Sequence, residues 1–85
     1  MLIGKVVGSV VSTRKNENLV GNKFMIVETI ENGKLTGDHM IAVDGVGAGI
    51  GEDVLIATGS GARLALDRTD APVDAAIVGI VDKNQ

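Results

Sequence analysis

Lys23-Phe-Met-Ile-Val-Glu-Thr-Ile-Glu-Asn-Gly-Lys34 decides the fold class. Lys23 to Ile30 is rich in β-branched and aromatic residues, which suit a pleated strand. Side chains alternate between faces along a strand. Phe24, Ile26 and Ile30 therefore share one face, and Met25, Val27 and Thr29 share the other. The segment runs into Glu31-Asn-Gly-Lys34, a strong turn signal because Asn and Gly tolerate positive φ. Gly37-Asp38-His39 reads as an extension of that turn into a longer loop, with Met40 to Asp44 as a short strand beyond it.

The same alternation appears on both sides of this unit. Leu2 to Ser12 reads as a first strand, with Leu2, Gly4, Val6, Gly8 and Val10 on one face and Ile3, Lys5, Val7, Ser9 and Val11 on the other. Thr13 to Asn22 is polar and reads as a solvated loop. Asp53 to Thr58 gives a fourth strand and Ala75 to Asp82 a fifth. Gly59 to Leu66 has room for one helical turn, with Ser60 as its N-cap. Asp67 to Asp74 is a polar connection holding Pro72, the only proline. Five short strands separated by turn chemistry predict an all-β fold, a small closed or nearly closed barrel occupying residues 1–85 as one domain.

The strands carry more aliphatic residues than one barrel interior can take. With Phe24, Ile26 and Ile30 inward, the outward faces hold Ile3, Val7 and Val11, then Met25 and Val27, then Ile77 and Val81. An exposed patch of that size calls for cover. The expectation is a neighbouring subunit, which also supplies what the core of an 85-residue chain lacks.

Composition removes several function classes. Net charge is -3 and there is one aromatic residue, Phe24, so neither a basic nucleic-acid patch nor a base-stacking platform is available. There is no cysteine and one histidine, His39, which argues against a disulfide framework and a Cys- or His-based metal site. The apolar start is interrupted by Lys5 with no cleavage-type pattern after it, and no apolar run approaches the ~20 residues of a membrane helix. The expectation is a soluble cytoplasmic protein.

Asp44-Gly-Val-Gly-Ala-Gly-Ile-Gly-Glu52 looks at first like a phosphate loop. The dinucleotide fingerprint needs a glycine where Ile50 or Glu52 stands, and no Gly-Lys-Ser/Thr follows. Glu52 and Asp53 would repel a phosphate. The run reads instead as a tight irregular loop in which glycine supplies unusual dihedrals and close backbone approach. The acids Asp44, Glu52, Asp53, Asp67, Asp70 and Asp74 lie near strand ends, and no spacing pairs any two of them for acid/base work. Ser60 sits in Gly-Ser-Gly, which is not a nucleophile elbow. No catalytic, cofactor-binding or metal residue is assigned. Arg63 follows a small-residue turn; it is either a solvated surface charge or a bidentate partner for a carboxylate of its own or a neighbouring subunit.

Several segments together resemble the vertex proteins of bacterial microcompartment shells, the EutN/CcmL family. They are Gly4-Lys-Val-Val-Gly-Ser-Val-Val-Ser-Thr13, Leu19-Val-Gly-Asn-Lys23, Ala42 to Glu52, Gly59-Ser-Gly-Ala-Arg63 and Pro72 to Asp82. They run in the family's order over nearly the whole chain. Gly61 departs from it, standing where many members have a second serine. The resemblance implies an OB-like barrel that assembles as a homopentamer, without enzymatic activity. It places the ring at the fivefold vertices of a polyhedral shell in the cytoplasm, beside hexameric and trimeric shell proteins. Head-to-tail contacts close such a ring. In that setting Gly45, Gly47, Gly49, Gly51 and Glu52 are expected to form a subunit-contact loop, close to the ring axis, and Arg63 to pair between subunits. A rival expectation is a small OB-like binding module for nucleic acid or a small ligand. A second is an enzyme subunit whose acids converge on a pocket.

Overall fold

The computed structural model describes residues 1–10, 23–59, 61–62 and 74–82. Five strands, β1 (Leu2–Val10), β2 (Lys23–Glu31), β3 (Lys34–Asp44), β4 (Asp53–Thr58) and β5 (Ala75–Ile80), close into a barrel in the order β1-β2-β3-β5-β4. All pairings are antiparallel except β3 with β5, which is parallel and joins Val43 to Ala76 and Asp44 to Ile77. β1 touches both β2 and β4, so its two edges carry the closure. Register shifts at Val6/Gly8 in β1, Glu28/Ile30 in β2 and Leu55/Ile56 in β4 add the local twist that a tightly curved sheet requires. The all-β, five-stranded, OB-like barrel is the fold class expected from the sequence.

The turn after β2 is tighter than expected. Asn32 and Gly33 alone make it, both at positive φ (52° and 77°), as a primed two-residue hairpin needs. Gly37, Asp38 and His39 belong to β3 and not to a long loop. The Gly37 amide is held by Glu28 Oε2 at 2.9 Å and the Asp38 amide by Thr36 Oγ1 at 3.1 Å, so side chains from the hairpin itself bond this irregular stretch of strand. Of the expected helical turn, Gly61 and Ala62 are helical; Ser60, Leu64 to Leu66 and the Thr13–Asn22 loop lie outside the described residues.

The core corrects the facing of two strands. Val6, Val27, Val54, Ile56 and Ile77 are fully buried, and Met25, Ala42, Ala48 and Ala75 complete the interior. Each such Val or Ile contributes about 1.5–3 kcal/mol by leaving water. Met25 and Val27, expected outside, are therefore inside, and so is Ile77. Phe24, Ile26, Val78 and Ile80 turn outward or to the barrel rim. Gly4 explains the choice in β2. Its missing side chain leaves the space that Val27 Cγ1 occupies, while the Glu28 carbonyl and Ile56 Cδ1 close the rest. β1 faces as expected only as far as Val7, with Gly4 and Val6 in and Ile3 and Val7 out. The bulge at Val6/Gly8 then sets Gly8 opposite Ile26 and Val10 opposite Phe24, so these two, expected on the face of Val6, lie on the other one.

A second cluster sits on the outer wall. Val43, Ala62 and Ala76 are buried there, with Phe24 and Val78 packed against them. The Gly59 amide bonds the Asp74 carbonyl at 2.8 Å and the Ala62 amide bonds the Gly59 carbonyl at 3.1 Å, which folds this short segment over β3 and β5.

Candidate subunit interface

The loop from Gly45 to Glu52 joins β3 to β4 and is built almost wholly from its own backbone and the two acids that bound it. Asp44 Oδ1 accepts the amides of Val46 (3.0 Å) and Gly47 (2.9 Å). Glu52 Oε1 accepts the amide of Gly49 at 2.6 Å, and the Glu52 amide returns to the Gly49 carbonyl at 3.2 Å. Gly47 and Gly51 have φ of 81° and 93°, a region that side chains with a Cβ resist. Between them Ala48 turns inward and joins the barrel core, so the loop plugs one end of the barrel.

The loop is also stitched to its surroundings. The Gly45 amide bonds the Ile77 carbonyl at 3.3 Å. The Gly51 amide bonds the Val6 carbonyl at 2.7 Å, and the Val6 amide bonds the Glu52 carbonyl at 2.9 Å. Lys5 Nζ reaches the Gly51 carbonyl at 3.3 Å and Asp53 Oδ1 at 2.9 Å. The amides of Gly45, Val46, Gly47, Gly49, Gly51 and Glu52 are thus all engaged within the chain. An anion nest needs converging free amides, and six of the eight in this loop are already spent.

What the loop offers outward is apolar. Val46 and Ile50 are 45% and 67% exposed on either side of the buried Ala48. Asp44 Oδ2 is enclosed without a hydrogen-bond partner among the described residues. The structure therefore brings Gly45, Gly47, Gly49, Gly51 and Glu52 into one rigid loop, while Arg63 lies outside the described residues. Two roles were missed in the sequence: Asp44 as the cap of the loop and Ala48 as its anchor. An Asp immediately before Gly-x-Gly is an Asx-turn signal and pointed to the first.

Among the described residues the acids do not converge; Asp67 and Asp70 lie outside them. Glu28 pairs with His39 Nε2 at 3.5 Å across the hairpin, Asp53 pairs with Lys5, and Glu52 and Asp44 cap the loop. No group of three or more His, Asp or Glu side chains is placed to hold a metal ion among the described residues.

Comparisons with known proteins agree with this architecture. A family model described as "Ethanolamine utilisation protein EutN/carboxysome" matches residues 1–82. The carboxysome shell vertex protein CcmL of Thermosynechococcus vestitus is 45% identical over 83 residues, covering 96% of this chain and 84% of that protein. The solved structure of Gloeobacter violaceus CcmL superposes with a TM-score of 0.92 at 43% identity, covering 96% of this chain and 86% of that one. The pentameric microcompartment shell protein GrpN from Rhodospirillum rubrum superposes with a TM-score of 0.89 at 45% identity, over 98% of this chain and 95% of that one. With a family match over residues 1–82 and relatives at 43–45% identity over nearly the whole chain, this chain belongs to the EutN/CcmL family.

Proposed function

We propose that this chain is the vertex subunit of a bacterial microcompartment shell, a structural protein and not an enzyme. Five copies close into a ring that occupies a fivefold corner of a polyhedral shell in the cytoplasm. Hexameric and trimeric shell proteins are its neighbours there. The observation that carries this reading is the likeness, over nearly the full length of both chains, to a solved pentameric shell protein. The outer wall supports it independently. Ile3, Val7, Leu35 and Ile41 are all exposed aliphatics, more than a small monomer ordinarily leaves bare.

Within the ring, the Gly45–Glu52 loop packs against a neighbouring copy near the axis. Its largely self-bonded backbone gives a firm surface, and Val46 and Ile50 give it apolar contacts. Arg63 pairs with a carboxylate across the same contact. Native mass spectrometry tests the assembly directly. A mass of five subunits is expected, and a monomeric mass at micromolar concentration overturns the proposal.

A further inference from the structure

A closed ring uses two different patches on each subunit, because a patch that meets its own copy makes a two-fold dimer instead. Among the described residues the outer wall of this barrel carries two aliphatic patches that fit this requirement, and the strand registers separate them. Lys5 stands opposite Asp53 on β4 and Glu28 on β2, and Glu28 stands opposite His39 on β3. Asp53, Lys5, Glu28 and His39 therefore form one transverse row in which acidic and basic side chains alternate. The row is spent on itself through the Lys5–Asp53 and Glu28–His39 contacts.

On one side of this row, Ile41 stands opposite Ile26, and Ile26 stands opposite Gly8 and leans over it. On the other side, Ile3 stands opposite Leu55, which leans over Gly79 in the same way. Each patch is a pair of aliphatics beside a glycine shelf. Ile41 is 56% exposed and Ile3 is 44% exposed. The patches lie on different strands, β2–β3 and β1–β4, and on opposite sides of the charged row. One self-matched contact would cover one patch and leave the other bare. A head-to-tail contact repeated around a ring covers both.

We infer that the Ile26/Ile41 patch of one copy packs against the Ile3/Leu55 patch of the next, with the charged row limiting each patch and fixing how the two subunits slide into register. The occupant of each patch is a second copy of this chain. This rests on the vertex reading above and adds the pair of surfaces that makes it.

The chain has no cysteine, so engineered thiols report without background. Ile3→Cys and Ile41→Cys are made separately and together and treated with a short bifunctional maleimide. The double variant is expected to give a covalent ladder ending at five subunits, and each single variant to give no ladder. Ile41→Glu is expected to lose the ring while keeping the far-ultraviolet circular dichroism of the folded barrel. A pentameric mass with no ladder from the double variant, cross-linking of either single variant with itself, or an intact ring in Ile41→Glu each overturns this inference and leaves the vertex reading standing. A monomeric mass for the unaltered chain overturns both.

Discussion

The Gly51 amide donates to the carbonyl oxygen of Val6 at 2.7 Å. This bond ties the glycine-rich loop to the strand whose edges close the barrel. It continues the β1–β4 ladder past Lys5 and Asp53, where regular pairing ends, and holds the loop over the buried Val6 side chain. The loop is therefore part of the barrel wall, and changes in it are felt in the fold as well as at its surface.

Gly4→Ala is expected to destabilise the barrel by about 1–3 kcal/mol through overpacking. The added Cβ would press into Val27 Cγ1 and lie 2.9 Å from the Glu28 carbonyl oxygen, which is backbone and cannot swing aside. Urea titration at one fixed protein concentration measures it, since the stability of an oligomer depends on concentration. A midpoint equal to that of the unaltered chain refutes the packing argument.

Asp44→Ala removes the acceptor of two loop amides. Hydrogen bonds to charged groups contribute about 1.5–3 kcal/mol net, and the loss is expected to fall in that range. Hydrogen exchange at the Val46 and Gly47 amides should quicken, while the core amides of β1 change only with global stability. Asp44→Asn keeps the accepting oxygen and should lose much less. Equal effects from the two variants would show that the capping bonds are not what orders the loop.

Gly47 separates two reasons for a glycine from each other. No atom lies within 4 Å of a Cβ built there, so inside the subunit the constraint is the φ of 81° alone. Asn tolerates that region and Val does not. If a neighbouring copy packs on the loop, Gly47→Asn and Gly47→Val both weaken the ring. If only the dihedral matters, Asn is accepted and Val is not. Native mass spectrometry of the two variants distinguishes these; an intact ring in both sinks the interface assignment of the loop.

Gly33→Ala places a Cβ at a φ of 77° in the hairpin turn, with nothing within 4 Å of it. The cost is conformational, about 1–2 kcal/mol. Thermal unfolding should shift down, with the subunit count by native mass spectrometry unchanged. A loss of subunits would place the hairpin tip in a contact instead.

The sequence by itself determined the strand class, the number of strands, the Asn32-Gly33 turn and the excess of apolar surface. These follow from local rules: β-branched alternation, positive φ at Asn-Gly, and a count of aliphatics against one interior. It also removed the phosphate reading of Gly45 to Gly51, because spacing and charge are visible in one dimension. Which face of β2 and β5 points inward was decided only in the tertiary structure. Both faces are apolar, so alternation names two faces without ranking them. The ranking came from Gly4, whose missing side chain admits Val27, and from the register that sets Ile77 opposite Ile56. The same holds for the acids. Asp44, Glu52 and Asp53 read alike in sequence, yet the fold makes the first two loop caps and the third the partner of Lys5. Such roles depend on which strands become neighbours, and a closed barrel fixes that only when its last pair of strands has met.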